Sequence, residues 1–182
     1  MTAEQVYDYT LEWAKEFDDE LAQTLESDPD YAKRIFSIGR GGKKPRKDIA
    51  TWCDVKDYIG FFYDKYFSIQ QPIDEKFDKK DIVKCLEEFL ESYDYSDAMD
   101  VWFEKIKNIS DKNGFCSDTK EFKANPEAYK GSVADVSMFL RVAVTGKINA
   151  PDMYTVMQIL GDGKVRERIR NMIESESLQS KN

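Results

Sequence analysis

The residues best suited to chemistry are cations concentrated in one window of the chain. Residues 33–47 contain seven basic side chains and no acid: Lys33, Arg34, Arg40, Lys43, Lys44, Arg46 and Lys47. The chain has 27 basic residues in all, so the other 20 are outweighed by 35 acidic ones, and the formal net charge is −8. Such segregation is typical of a polyanion-binding site on a protein that otherwise repels nucleic acid. A solvated turn that favours solubility is the alternative interpretation.

Glycines inside this basic window favour close approach of the backbone to an anion. Gly39, Gly41 and Gly42 carry no Cβ, so backbone N–H groups there can come near phosphate oxygens. They follow a helical pattern rather than a strand, and no Walker lysine spacing is present. The segment is therefore predicted to be a loop that contacts phosphates, and it is not a nucleotide-binding motif.

A second basic group lies near the end of the chain. Lys164, Arg166, Arg168 and Arg170 alternate with Val165 and Ile169. One interpretation is an amphipathic helix with cations on its outer face, which suits the negative end of the helix dipole. The other is a further contact with a nucleic-acid backbone.

No residue pattern indicates a catalytic apparatus in this chain. There is no histidine, and the three cysteines are far apart, so we expect neither a zinc site nor a disulfide framework. Buried, reduced thiols in a reducing, cytoplasmic compartment are the expectation. Asp94, Asp97 and Asp100 are interpreted as a solvated acidic face, because acid–base catalysis would need a pocket and a partner. No apolar run approaches the ~20 residues that span a bilayer.

Apolar residues recur with helical spacing throughout, so the sequence predicts an all-α chain. In residues 3–26 the expected inward row is Val6, Tyr9, Trp13, Phe17, Leu21 and Leu25. Asp28-Pro29 breaks this helix, and a short helix follows to residue 38. A broken helix is expected over 48–67. After a connector at 68–77, Asp78 should cap a helix over 79–92, and Ser96 should cap the next, to about residue 110.

The last third combines a loop over 111–131 with three well-delimited helices. Ser132 and Asp135 form a predicted capping box, and Gly146 should end that helix. Pro151 suits the first position of the next helix, and Gly161 should end it. Residues 165–173 form the last apolar helical row. We expect a domain boundary at the connector, which gives a subdomain over 1–72 and another over 73–182.

The amino-acid sequence of these last helices resembles that of the anticodon-binding region of bacterial glutamyl-tRNA synthetases, a class I aminoacyl-tRNA synthetase family. The family has an Arg-Val-Ala-Leu-Thr-Gly helix end, a proline-led helix ending in Leu-Gly, and an Arg-rich closing helix. Here these read Arg141-Val-Ala-Val-Thr-Gly146, Pro151-Asp-Met-Tyr to Ile159-Leu-Gly161, and Val165-Arg-Glu-Arg168. The segments 41–54 and 120–130 also fit a clostridia-like branch of that family, so the similarity covers roughly residues 30–173.

The resemblance implies two helical subdomains that hold the anticodon arm of tRNA(Glu) and read its unstacked bases. By that resemblance the anticodon contacts are Arg141, Gly146, Lys147, Asn149, Ala150, Pro151 and Met153. The implied contacts with the tRNA backbone are Arg40, Lys43, Lys44, Arg46, Lys47, Lys164 and Arg166. Ala150 stands where many members have threonine, and Asp152 would repel a nearby phosphate. Arg141 has an equally open structural interpretation, as an ion-pair partner of Asp135.

The family's catalytic motifs are absent from this sequence. The resemblance therefore implies that ATP and magnesium serve a catalytic domain outside this chain, and that the chain itself holds no cofactor. The expected partner is tRNA(Glu), with no DNA, no membrane and a monomeric state. A helical interaction module whose basic loop binds an acidic protein is the alternative function, and a free-standing enzyme is the least favoured.

Overall fold

The computed structural model describes residues 1–40 and 49–179, and α-helices dominate both ranges. These residues form no strand, so the predicted all-α class is confirmed. Short 310 helices cover Gly60–Phe62 and Pro126–Ala128. The α-helices, in chain order, are α1 (Ala3–Phe17), α2 (Asp19–Ser27), α3 (Pro29–Phe36), α4 (Asp54–Ile59), α5 (Lys79–Ser92), α6 (Met99–Lys112), α7 (Thr119–Ala124), α8 (Val133–Thr145), α9 (Met153–Leu160) and α10 (Asp162–Gln179).

The chain divides into two compact units. Unit 1 comprises Met1–Ser68 together with Pro151–Ile159, and unit 2 comprises Ile69–Ala150 together with Leu160–Asn182. The first break therefore falls in the connector, close to the boundary at 72/73 expected from the sequence. Most of α9 groups with unit 1, although it is distant from that unit in sequence. The functional division into 1–72 and 73–182 stays a prediction.

The N-terminal segment differs from its predicted single helix. Asp18 ends α1 and begins α2, because its carboxylate accepts the backbone N–H of Leu21 at 3.0 Å. The predicted inward row was right for Val6, Leu21 and Leu25, which are buried, and wrong for Tyr9 and Phe17, which are 50% and 64% exposed. Residues buried on α1 are instead Val6, Tyr7, Thr10 and Ala14. Two of these side chains, Thr10 and Ala14, are small, and α1 packs against α2 and α3.

Several helix starts in the first two thirds of the chain follow local capping, and three predictions there need correction. Asp78 caps α5, as predicted, and Asp28, which was predicted only to break the preceding helix together with Pro29, caps α3; both accept hydrogen bonds from backbone N–H groups. Ser96 does not cap α6; its hydroxyl and its N–H both donate to Asp94 instead, and α6 begins after Ala98. The predicted helix over 48–67 shortens to α4 and one 310 turn. The predicted loop over 111–131 contains α7.

Unit 2 is built around α5, α8 and α10. Helix α5 packs against α6, α8 and α10, and α8 also packs against α10. Three phenylalanines form the aromatic part of this core: the Phe139 ring centroid lies 5.0 Å from that of Phe77 and 5.7 Å from that of Phe115. The capping box of Ser132 and Asp135 is present as predicted. The aromatic core therefore holds the middle of α8, and the capping box fixes its N-terminal end.

The three cysteines are free, as expected, but they differ in burial. Cys85 and Cys116 are buried, and burial raises the pKa of the Cys85 thiol to about 12, so it stays protonated at neutral pH. Cys53 is exposed, which corrects the expectation that all three are buried. No helix of the described residues is both long enough and apolar enough to cross a membrane.

Candidate nucleic-acid interface

The basic window is described only at its N-terminal end, in unit 1. Lys33 lies in the last turn of α3 and pairs with Glu4 at 3.3 Å. Arg34 is exposed and forms no ion pair with another described residue. Arg40 donates its Nε–H to the carbonyl oxygen of Phe36 at 2.6 Å, which anchors the side chain beside the end of α3. The remaining predicted contacts lie outside the described residues: Lys43, Lys44, Arg46 and Lys47.

In unit 2, α8 ends in a tightly bonded turn over residues 146–150. Gly146 adopts φ 73°, a left-handed conformation that favours glycine. Its N–H donates to Val142 at 2.8 Å, so it ends α8 as predicted. Its carbonyl oxygen accepts the backbone N–H groups of Gln70 at 2.9 Å and Gln71 at 3.0 Å. The connector therefore holds this turn from outside the helix.

Arg141 lies on α8 and reaches the same turn. Its Nη1 donates to the carbonyl oxygen of Ile148 at 3.3 Å. It makes no ion pair with Asp135, whose carboxylate accepts from the N–H and hydroxyl of Ser132 instead. The Nε of Arg141 is buried and forms no hydrogen bond within the described residues. Burial lowers the pKa of this guanidinium, which still remains charged at neutral pH.

A half-buried cation without a carboxylate partner is costly in a free protein. An anionic or strongly accepting ligand would offset that cost, because a guanidinium binds phosphates and base edges through charge-assisted hydrogen bonds. Among the two interpretations of Arg141 left open by the sequence, the structure therefore excludes the ion pair with Asp135 and leaves its positive charge available at the turn.

The other predicted anticodon residues of unit 2 differ in accessibility. Gly146 is buried, whereas Asn149 is exposed and Lys147 and Ala150 are partly exposed. The Asn149 side chain forms no hydrogen bond with a described residue, so both halves of its amide can meet a ligand. Gly146 in this structure shapes the turn, while its neighbours provide the accessible groups.

The residues that follow belong to unit 1 and form the start of α9. Pro151 and Met153 are buried, and Asp152 is exposed. The prediction that Pro151 occupies the first helical position was wrong, because α9 begins at Met153. Asp152 is the cap: its carboxylate accepts the N–H of Thr155 at 2.8 Å and the Thr155 hydroxyl at 2.7 Å. An acidic residue that seemed unfavourable near phosphate thus has a structural role.

The C-terminal cations on α10 are mostly engaged within unit 2. Lys164 pairs with Glu167 at 3.7 Å, and Arg168 is 3% exposed and donates to the carbonyl oxygen of Val144 at 2.7 Å. Arg170 is exposed and forms no ion pair within the described residues. The outer-face interpretation therefore fits Lys164 but is wrong for Arg168, which is buried and bonded to α8.

Arg166 is the most highly bonded of these cations. It donates to Asp162 at 2.8 Å, to the carbonyl oxygen of Leu90 at 3.2 Å and to that of Tyr93 at 2.7 Å. The guanidinium also lies 5.1 Å from the centre of the Tyr93 ring. These bonds tie α10 to the C-terminal end of α5 and engage all three nitrogens of the guanidinium within unit 2.

We expect Arg166→Ala to lower the free energy of unfolding by about 1–3 kcal/mol, because two backbone carbonyls lose their donor. Urea unfolding measures this effect, and Arg170→Ala, on the same helix, is the control and should change it by less than about 0.5 kcal/mol. A loss of tRNA affinity by Arg166→Ala without loss of stability would contradict this structural role and favour the predicted backbone contact.

Asp97 and Glu88 of unit 2 each form an ion pair with a lysine. Asp97 pairs with Lys105, which also donates to the carbonyl oxygen of Ser92 at 2.6 Å. A groove of about 360 Å³ beside these residues is lined by Glu88 and Lys112, which pair at 3.0 Å. Within the described residues, no group of three acidic or cysteine side chains is placed to hold a metal ion.

Two residues of the turn were missed by sequence reasoning. Ile148 lies at the turn with 41% of its surface exposed, and the amide oxygen of Gln71 accepts its N–H at 2.9 Å. The sequence features that could have indicated them are an isoleucine in a polar loop and a glutamine before a proline. Neither is specific, because the contact joins residues 77 positions apart.

Comparisons with known proteins place this turn inside a recognised domain. A family model described as "Anticodon binding domain" matches residues 119–173, which include α8, the turn and α9. The chain is 40% identical to the glutamate–tRNA ligase of Acetivibrio thermocellus over 171 residues, which are 94% of this chain and 31% of that protein. It is 44% identical to the glutamate–tRNA ligase of Sorangium cellulosum over 175 residues, 95% of this chain and 31% of that protein.

A third relative, the glutamate–tRNA ligase of Clostridium beijerinckii, is 40% identical over 173 residues, 92% of this chain. The chain thus spans about 31% of the length of the curated relatives that it matches. Residues 119–173 therefore match the model of an anticodon-binding domain, and nearly the whole chain is similar to a part of glutamate–tRNA ligases.

Proposed function

We propose that this chain binds the anticodon arm of tRNA(Glu) as the anticodon-recognising region of a glutamate–tRNA ligase. The observation that carries the proposal is the turn at residues 146–150, which lies in the matched domain. It presents the half-buried cation of Arg141 beside the accessible amide of Asn149. Proteins read RNA loops by hydrogen bonds to the edges of unstacked bases and by contacts with their faces, and this set of groups suits both.

The charge distribution supports a selective interaction. A net charge of −8 repels nucleic acid in general, whereas the basic window attracts one phosphate backbone locally. We assign backbone contact to Arg34, Arg40 and the cations of residues 43–47, and base contact to the turn. Aminoacylation, with its ATP and magnesium, is assigned to a part of the ligase outside this chain. We expect this region to act as a monomer in the cytoplasm and not to bind DNA.

The direct test is a fluorescence titration with three RNA transcripts: tRNA(Glu), the same tRNA with substituted anticodon bases, and an unrelated tRNA. We expect tRNA(Glu) to bind about ten- to a hundredfold more tightly than the other two, because each lost hydrogen bond to a base leaves a group of the turn unpaired. The apparent affinity should also fall steeply with salt. Equal affinity for all three transcripts would contradict anticodon recognition.

A further inference from the structure

We propose that Ile148 contacts an anticodon base directly and that Gln71 is the residue that positions it. This inference rests on the proposed function and extends it to two residues that the family pattern did not indicate. The ligand is an unpaired base of a single-stranded RNA loop.

The backbone of Ile148 is fixed on both sides although its side chain points out of the fold. Its N–H donates to Gln71 at 2.9 Å, and its carbonyl oxygen accepts from Arg141 at 3.3 Å. The side chain nevertheless stays 41% exposed. A single exposed isoleucine is common on protein surfaces. An exposed isoleucine whose peptide groups are bonded to two other segments has a fixed backbone, so binding costs less backbone entropy.

Gln71 is well placed to position Ile148. Its backbone N–H and that of Gln70 both donate to Gly146, so the connector follows the turn closely. Pro72 comes next and restricts the backbone conformation of Gln71 to the extended region. An amide oxygen is the group that can accept from the Ile148 N–H. The side-chain NH₂ of Gln71 forms no hydrogen bond with another described residue.

The neighbours of Ile148 favour a base over another apolar ligand. Lys147 and Arg141 bring positive charge, and Asn149 brings an amide with both donors and an acceptor. An unstacked nucleotide offers the apolar face of its base, the hydrogen-bonding edge of its base and a phosphate. The side chain of Ile148 can cover the face while Asn149 bonds the edge. A protein partner with an apolar surface would lack the phosphate that the charge of Arg141 attracts.

The test uses the whole chain, a tRNA(Glu) transcript and two matched pairs of variants. Gln71→Leu and Gln70→Leu remove adjacent exposed glutamines, but only the first removes an acceptor for Ile148. We expect Gln71→Leu to weaken tRNA binding about five- to tenfold, and Gln70→Leu to stay within about twofold. Ile148→Ala should weaken binding about five- to tenfold, whereas Val101→Ala, at a similarly exposed apolar residue of unit 2, should stay within about twofold.

A second measurement tests directly whether Gln71 positions Ile148, and it requires no RNA. Amide hydrogen exchange of Ile148 should be slow in the wild type and in Gln71→Glu, which keeps an acceptor oxygen, and fast in Gln71→Leu. Circular dichroism should show the same helix content in all variants, because both glutamines are exposed.

The outcomes separate this inference from the proposed function. If the wild type prefers tRNA(Glu) and both Gln71→Leu and Ile148→Ala bind it equally well, the inference is overturned and the proposed function stands. If the wild type binds no tRNA, both fall. Unchanged exchange of the Ile148 amide in Gln71→Leu would overturn the positioning role by itself.

Discussion

Reversal of four charges in the basic window, by replacing Lys43, Lys44, Arg46 and Lys47 with glutamate, is expected to lower the affinity for tRNA(Glu) about a thousandfold at ~0.1 M monovalent salt. Each phosphate contact contributes about 0.7–0.9 to the slope of log affinity against log salt, so four contacts contribute about 3. Binding to the variant should therefore also lose most of its salt dependence. Titrations at several salt concentrations measure both quantities.

The matched control reverses four exposed cations elsewhere: Lys80, Lys84, Lys120 and Lys123. None of them pairs with a described acidic residue. This variant has the same net charge as the first, so it separates a local contact from general repulsion. We expect an affinity loss of less than about tenfold, because none of these four lysines is assigned to the binding site and salt screens the general repulsion between exposed charges. Similar losses in both variants would remove the basic window from the binding site.

Phe139→Ala is expected to destabilise unit 2 by about 3–5 kcal/mol, which is the usual cost of removing a buried phenylalanine ring. Phe139 has no exposed surface, and its ring contacts those of Phe77 and Phe115 edge to face. The cavity would lie beside α8, the helix that presents Arg141 and ends at the turn. Urea unfolding followed by near-ultraviolet circular dichroism measures the change.

Phe103→Ala is the control for this prediction, because Phe103 lies in the same unit with 38% of its surface exposed. We expect it to cost less than about 1 kcal/mol. Equal destabilisation by the two variants would contradict the assignment of Phe139 to the centre of the core. If the Phe139 variant still folds at low temperature, its tRNA preference should persist, since the residue does not reach the surface.

Helix ends were predictable wherever the capping residue and the group that it bonds lie within a few residues of each other. The capping box of Ser132 and Asp135, the cap at Asp78 and the stops at Gly146 and Gly161 were confirmed. Such contacts depend on backbone geometry over one turn. The predicted cap at Ser96 was wrong because Asp94 competes for the same hydroxyl and N–H.

The buried face of α1 was not predictable from apolar spacing. The aromatic residues Tyr9 and Phe17 follow a helical period but are exposed, whereas Thr10 and Ala14 are buried. A prediction from helical periodicity selects the inward residues by the hydrophobicity of their side chains. Close packing of one helix on two others selects small side chains at the contact, and this choice depends on the neighbouring helices.

The candidate site, like the fold, could be predicted from the sequence only in part. The basic window, Arg141 and the turn at residues 146–150 could be identified from charge segregation and from a family resemblance. Which predicted residues touch RNA stays a prediction. Their accessibility, however, differs widely: Arg166 is bonded to three groups of the protein, whereas Asn149 is accessible.

The sequence by itself determined the helical class, most helix boundaries and the segregation of charge, because these depend on residue type and on neighbours along the chain. Only the tertiary structure decided that Arg141 has no carboxylate partner, that α10 uses its arginines to join helices, and that Gln71 holds Ile148. These depend on contacts between distant segments. Local sequence specifies which hydrogen-bonding groups are available, and packing determines which of them meet and which remain for a ligand.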